Sequence, residues 1–205
     1  MFLALLFSVF LASVLAGLTG RWLGTRGVSF MAVVLLAVSL LCSLAAVLEI
    51  LLSGSTVSLS LGSWFQVGTI CFNWSFSFND PLLCATVCGV SLLVHLFSAA
   101  YTSSDPSYTL GMCWLSLFTF FMLVLAAADH LLVLLVGWEG IGVCSFALIG
   151  FWKSRLAATK SALKAVWLWL LAIYSRFSLE DWFCTSTPVG SIGLPERLDC
   201  CCFLC

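Results

Sequence analysis

Apolar residues occur along this chain in long runs that are separated by short polar segments. A run of about 20 predominantly apolar residues is long enough to cross the hydrocarbon core of a bilayer as an α-helix. The runs predict helices at about 2–20, 28–52, 82–101, 111–128, 131–151 and 161–177. The pattern therefore predicts an all-α integral membrane protein with about six transmembrane helices, arranged as a helix bundle.

Two segments depart from this helical pattern. Residues 53–81 are rich in Ser and Gly, and apolar and polar residues alternate over 57–61, which predicts a short hairpin in an external loop. After residue 177, charges, Pro and Gly mix without a helical period, which predicts an irregular tail. The predicted units are a first helix pair (1–52), the external loop (53–81), the helices with buried charges (82–177) and the tail (178–205).

The basic residues predict how the helices are oriented. Arg21 and Arg26 lie between the first two predicted helices, and Lys153, Arg155 and Lys160 lie between the last two. Loops rich in Lys and Arg stay on the cytoplasmic or matrix side of a membrane. The N-terminus and the 53–81 loop carry no Lys or Arg, so both are expected on the opposite side.

Composition supports the membrane assignment and narrows the function. Hydrophobic residues make up 62% of the chain and charged residues 8%, whereas a soluble domain carries about 25% charged residues. There is no basic run, so no nucleic-acid partner is expected. Most of the 11 cysteines lie singly in apolar runs, where cysteine packs as a small hydrophobic residue. The lone C-x-x-C at Cys202 and Cys205 is weak evidence for a metal site, and we predict no metal, cofactor or catalytic centre in this chain.

The helix predicted at 131–151 contains one charged residue, Glu139. At ~1.5 Å per residue it lies about 12 Å from the start of the helix, close to the midplane of a core about 30 Å thick. An ionisable group at that depth costs at least about 2.5–3.5 kcal/mol, which makes it a candidate for a proton or cation pathway. Gly137, Gly140 and Gly142 flank it, and we expect them to permit close helix packing and leave room for water.

Two further intramembrane residues are candidates for a proton relay. Lys164 follows Lys160 by one helical turn and enters an apolar run. It could pair with Glu139, each charge stabilising the other, or extend its amine to the membrane surface. His95 lies in the third predicted helix. It could transfer protons, or simply bond a backbone carbonyl.

Several segments resemble one family. Residues 115–123 (Leu-Ser-Leu-Phe-Thr-Phe-Phe-Met-Leu), 137–142 (Gly-Trp-Glu-Gly-Ile-Gly), 93–98 (Leu-Val-His-Leu-Phe-Ser) and 151–165 carry the resemblance. The chain is similar, to about Val166, to the N-terminal portion of subunit 5 of respiratory NADH dehydrogenase (complex I), an antiporter-like proton-pumping subunit.

This resemblance implies a membrane-arm subunit of NADH:ubiquinone oxidoreductase that couples quinone reduction to proton pumping. It implies that the glutamate at Glu139 pairs with a lysine from another helix, and that Lys164 matches a family lysine near that pair. NADH, FMN, iron–sulfur clusters and ubiquinone would bind elsewhere in the complex. Other complex I membrane subunits are then the implied partners, in the mitochondrial inner membrane or, alternatively, a bacterial plasma membrane.

The chain departs from the family pattern after Val166. The family continues there with an Asn-Arg-x-Gly-Asp segment and many more helices, whereas this chain reads Trp-Leu-Trp-Leu-Leu-Ala over 167–172. Intron read-through, a frameshift or a split gene could each produce this sequence, and a split gene requires a second polypeptide with the missing C-terminal helices. Two alternative functions stay open: a subunit of a multisubunit cation/proton antiporter, and a truncated, non-pumping fragment with a scaffold role.

Overall fold

The computed structural model describes residues 2–53, 58–67, 70–77, 81–102, 105, 107–129, 131–152 and 156–186. In chain order the elements are α1 (Phe2–Ser53), β1 (Ser58–Val67), β2 (Ile70–Ser77), α2 (Pro81–Tyr101), α3 (Tyr108–Ala126), α4 (Leu131–Ile149) and α5 (Leu156–Ser186).

Helices long and apolar enough to cross a membrane account for most of these residues. Five such spans are Leu3–Gly20, Trp22–Leu52, Pro81–Tyr101, Tyr108–Ala126 and Leu156–Ser175, and Val133–Ile149 is a shorter apolar helix. Because the first two spans both belong to α1, the described residues contain six helical segments. The predicted class, an all-α membrane bundle of about six helices, is confirmed.

A sharp turn at Gly24 divides α1 into two packed halves. Gly24 has φ 70° and ψ 178° within an otherwise helical stretch, a region of backbone conformation that is favourable only for glycine. The second half returns along the first, and the hydroxyl of Ser39 donates a hydrogen bond to the Leu5 carbonyl at 3.3 Å. The turn therefore occupies fewer residues than the polar gap at 21–27 predicted, and the second helix begins earlier.

Helix α3 is the centre of the bundle and contacts α1, α2 and α4. Met112 and Leu123 of α3 are fully buried. Two polar contacts fix α3 on α1, because Ser13 donates to the Cys113 carbonyl at 3.3 Å and the hydroxyls of Ser29 and Tyr108 lie 2.5 Å apart. Helix α5 packs mainly against α4, so it lies at the edge of the bundle.

Strands β1 and β2 form an antiparallel hairpin, paired from Ser58 with Ser77 to Val67 with Ile70. The alternating residues identified in the sequence thus belong mainly to its first strand. Phe76 anchors the hairpin, since its side chain is buried and its backbone forms an antiparallel bridge with Ala128, in the turn between α3 and α4. The hairpin therefore packs on the end of the bundle where that turn lies.

Large apolar side chains cover the outward faces of the helices. Phe30, Leu93 and Trp167 are exposed by 72%, 67% and 69%. Exposed apolar surface on all sides is expected of helices that face acyl chains rather than water. This surface agrees with a bundle that lies in a membrane.

The predicted end of the last helix is wrong. Helix α5 continues to Ser186, so residues 178–186 are helical rather than irregular. The reason is that this segment, although polar, contains no Gly or Pro, and the first helix-breaking residue is Pro188. The remainder of the predicted tail, including Cys202 and Cys205, lies outside the described residues.

Replacing Gly24 by alanine is expected to destabilise the chain by about 1–3 kcal/mol, because a side chain strains this backbone conformation. Denaturant titration of the purified chain in detergent micelles measures the change. Gly89→Ala is the control, since its new methyl group would meet the nearest atom, Leu40 Cδ1, at an ordinary 3.9 Å. Equal stability of the two variants would contradict a strained turn at Gly24.

Candidate functional site

Glu139 is the ninth of the 19 residues of α4, midway between its ends. At ~1.5 Å per residue, it lies about 12 Å from Leu131 along a helix about 27 Å long. No other Asp, Glu, Lys or Arg occurs in α4, and the Glu139 side chain is half-buried. The structure therefore places a carboxylate in the middle of an apolar helix.

Two of the neighbouring glycines bring α4 directly against α3. A Cβ atom added to Gly137 would lie 3.0 Å from the backbone nitrogen of Leu125, and one added to Gly140 would overlap the ring of Phe121. Small residues at a helix interface permit such close approach in membranes. Because Phe121 fills the space beside Gly140, the expectation that these glycines leave room for water is wrong at this position.

The third glycine, Gly142, contacts α5 instead. A Cβ atom there would overlap the indole of Trp169. The buried indole nitrogen of Trp169 has no hydrogen-bond acceptor among the described residues. A buried N–H group without an acceptor is unfavourable, so the α4–α5 contact places an unsatisfied donor one turn along α4 from Glu139.

Glu139 lies on the side of α4 that faces away from α3. Val143 and Phe146 follow it at helical spacing on the same face, and they are 51% and 41% exposed. Within the part of the chain that the structure describes, no cation forms an ion pair with Glu139. The carboxylate thus faces the open side of the bundle.

Lys164 is exposed on α5 and does not approach Glu139 within ion-pair distance. Helix α5 turns its small residues Ala158 and Ala162, together with Trp169, toward α4. Lys160 and Lys164 lie on the opposite side of α5, because three- and four-residue spacings keep each set on one face. For this reason the structure does not bring Lys164 and Glu139 together, which was one of the two roles open to Lys164.

His95 is completely buried between α2 and α3. Its Nδ1 lies 2.8 Å from the carbonyl oxygen of Ser91, and its Nε2 lies 3.1 Å from the hydroxyl of Ser116. The Ser91 hydroxyl in turn lies 2.5 Å from that of Thr119. His95 therefore makes the backbone contact that was weighed against a relay role and also joins a chain of hydroxyl groups.

The sequence reasoning missed Ser91, Ser116 and Thr119 as parts of this cluster. A signal was present, because Ser91 and His95 are four residues apart and Ser116 and Thr119 three apart, so each pair shares a helix face. What the sequence lacked was the rotation of α2 and α3 that turns the two faces toward each other.

Among the described residues, no group of three or more His, Cys, Asp or Glu side chains is arranged to hold a metal ion. Two separate polar features lie within the apolar helices: the Glu139 carboxylate on α4, and His95 with three hydroxyl groups between α2 and α3. Such groups can bind and transfer protons.

Two family models match the chain. "NADH-Ubiquinone oxidoreductase (complex I), chain 5 N-terminus" matches residues 64–110, and "NADH:quinone oxidoreductase/Mrp antiporter, TM" matches residues 128–177. The second match includes Glu139 and Lys164 and extends past Val166, where the sequence analysis placed the departure from the family.

Several curated proteins are similar to the chain over most of its length. The NADH-ubiquinone oxidoreductase chain 5 of Chlamydomonas reinhardtii is 48% identical over 71% of this chain, and that of Chondrus crispus is 42% identical over 81%. The chain 5 of Arabidopsis thaliana is 36% identical over 93%. The matched region covers 27%, 25% and 31% of these relatives, so the chain spans about a quarter to a third of their length.

Replacing Gly137 by alanine is expected to lower the free energy of unfolding by about 1–3 kcal/mol, because the methyl group would press on the backbone of α3, which cannot rotate away. The same micelle titration measures this change. Gly89→Ala again serves as the control, since it adds the same methyl group to α2 without a close contact. If Gly137→Ala were as stable as that control, the tight α3–α4 contact would be refuted.

Proposed function

Because the chain belongs to the family of NADH-ubiquinone oxidoreductase chain 5, we propose that it acts as part of a proton-translocating membrane subunit of that complex. The observation that carries this proposal is Glu139, the one charged residue of α4, held midway along the helix. A group that can gain and lose a proton at this depth gives protons a binding position inside the membrane. NADH, FMN, iron–sulfur clusters and ubiquinone would be bound by other parts of the complex.

The exposed face of α4 supports assembly with further helices. Leaving a carboxylate against lipid costs several kcal/mol unless a partner or a proton compensates it. Glu139, Val143 and Phe146 form this face, and Lys164 does not reach it. The cation that completes the Glu/Lys relay would therefore come from outside the described residues. A second polypeptide with the missing C-terminal helices would supply it, together with other membrane subunits of complex I.

The relay would operate through alternation of charge on Glu139. An approaching cation stabilises the ionised carboxylate, and withdrawal of the cation favours its protonated form. His95, between α2 and α3, would provide a second proton-binding group on the other side of α3. Lys164 would act at the outer face of α5, where a neighbouring subunit can reach it. We propose the mitochondrial inner membrane as the location, with a bacterial plasma membrane as the alternative.

A cation/proton antiporter is the second candidate function, because the model that matches residues 128–177 describes both NADH:quinone oxidoreductase and Mrp antiporter proteins. The same buried carboxylate would then exchange protons for sodium. In that case vesicles with the chain and its partners would show sodium-dependent proton movement without NADH oxidation. Strict dependence of proton movement on NADH would exclude this candidate.

A fragment that serves as a scaffold is the third reading, because the chain spans about a quarter to a third of the length of its relatives. We expect the chain alone in vesicles to pump no protons. Mass spectrometry of complex I purified from the source membrane tests the split arrangement. It would detect both this chain and a polypeptide with the remaining chain 5 helices, whereas a complex that lacks this chain would contradict the proposed assembly.

In the assembled complex, Glu139→Gln is expected to slow proton passage through this subunit by at least about a hundredfold, because an amide cannot take up and release the proton. The measurement is the number of protons pumped per NADH oxidised in vesicles. Glu49→Gln is the matched control, since Glu49 is an exposed carboxylate near the end of α1. An unchanged ratio in an assembled complex with Glu139→Gln would remove the proposed role of Glu139.

A further inference from the structure

The contact between α2 and α3 contains a polar cluster made of Ser91, His95, Ser116 and Thr119. His95 and Ser116 are completely buried, and Thr119 is 3% exposed. Helices α2 and α3 contain no Asp, Glu, Lys or Arg. The cluster is thus surrounded by apolar residues at membrane depth, where each polar group needs a hydrogen-bond partner.

The hydrogen bonds of the cluster have one consistent set of directions. Thr119 donates to the Leu115 carbonyl at 3.0 Å, so its oxygen accepts from the Ser91 hydroxyl. A carbonyl oxygen only accepts, and His95 Nδ1, at 2.8 Å from the Ser91 carbonyl, must therefore hold a hydrogen. In the neutral ring Nε2 then has a free lone pair, which accepts from the Ser116 hydroxyl at 3.1 Å.

We propose that His95 and Ser116 form a second proton-holding site, separate from Glu139, in which the Ser116 hydroxyl reverses its hydrogen bond when the imidazole takes up a proton. A hydronium ion gives its proton to His95 Nε2 and leaves as water, and the new N–H donates to the Ser116 oxygen. The Ser116 hydrogen turns to the Met112 carbonyl four residues earlier, a common acceptor for helical serine. One proton is gained, no bond between heavy atoms changes, and every donor keeps an acceptor.

Holding α2 against α3 does not by itself explain the hydrogen bonds of this cluster. The Ser91–Thr119 hydrogen bond already joins the two helices, and a histidine is not needed for that purpose. At Nε2 the partner of His95 among the described residues is the Ser116 hydroxyl, which can both donate and accept, whereas at Nδ1 the Ser91 carbonyl accepts in either state. This pairing lets the imidazole change charge without losing a hydrogen bond. The role of this site in translocation rests on the proposed function.

A groove between α2 and α3 lies beside the cluster. It has a volume of about 300 Å³, and Ser91 and Thr119 belong to its lining. Most of its other lining residues are apolar, and His95 and Ser116 are not among them. The charged residues of α1, which packs against both helices, are Arg21, Arg26 and Glu49, near its turn and its end. Other titratable side chains on α2 and α3 are cysteines and tyrosines: Cys84, Cys88, Tyr101, Tyr108 and Cys113.

Nitrogen NMR of the full chain in phosphatidylcholine vesicles tests the site directly. The chain contains two histidines, so His130→Gln leaves His95 as the one labelled imidazole when ¹⁵N-histidine is supplied. In this background we compare Ser116→Ala, the conservative Ser116→Thr, and Ser39→Ala as the matched control. Ser39 is also a completely buried serine, and it bonds Leu5 and Cys88 rather than His95.

At neutral pH we expect the parent ring to hold its hydrogen on Nδ1, and acidification to add a proton at Nε2. Ser116→Ala should bind that proton about tenfold more weakly, because the hydrogen bond to the charged ring is stronger than that to the neutral ring. Ser116→Thr should restore proton binding, and Ser39→Ala should match the parent. A hydrogen on Nε2 in the neutral parent, or equal proton binding in Ser116→Ala and the parent, would overturn the site.

The role in translocation has a separate measurement. In the assembled complex, Ser116→Ala should lower the protons pumped per NADH, while the amount of assembled complex stays at the level of Ser39→Ala. An unchanged pumping ratio would overturn that role of the site. The NMR result does not depend on pumping, so failure of the proposed function, seen as an unchanged ratio in Glu139→Gln, is distinguishable from failure of this site.

Discussion

The cost of placing a charge in the hydrocarbon core determines how the rest of this structure can be understood. A carboxylate near the bilayer centre is unfavourable by several kcal/mol, and Glu139 lies midway along α4 without a cationic partner among the described residues. Its face also bears the exposed Val143 and Phe146. A membrane protein that retains such a group must neutralise it with a proton or cover it with another polypeptide. The second solution agrees with relatives of which the matched region is about a quarter to a third.

Close packing of α4 against α3 and α5 holds this carboxylate in place. At Gly137 and Gly140, α3 occupies the space that a methyl group on α4 would fill. At Gly142 the indole of Trp169 occupies that space. In a membrane the hydrophobic effect gives little force between helices, so contact area and fit determine their arrangement. The three glycines lie within one and a half turns of Glu139. These glycines determine how α4 is rotated about its own axis, because neighbouring helices pack where α4 has no side chain. That rotation determines the direction in which Glu139 faces.

Hydropathy predicted the helices well because length and apolar content are properties of each segment by itself. It could not predict which side of a helix meets its neighbour, since lipid and a packed helix both favour apolar residues. For this reason the sequence leaves Lys164 either opposite Glu139 or at the membrane surface, whereas Ala158, Ala162 and Trp169 turn it outward in the structure. The same limit concealed Ser116 as the partner of His95. The end of α5 differs from the prediction for another reason. Residues 178–186 include charges but no Gly or Pro, so the helix continues to Ser186, shortly before Pro188.

The position of α3 separates two kinds of polar chemistry. Phe121 of α3 fills the space against Gly140 of α4, whereas Ser116 and Thr119 face α2 and His95. Glu139 lies on the open side of α4, so its charge depends on whatever covers that side. His95 is enclosed, and its hydrogen bonds are completed within the chain itself. A subunit built in this way would have one group that responds to a neighbouring polypeptide and another that is independent of it. Coupling between them would have to pass through α3, which packs against both α2 and α4.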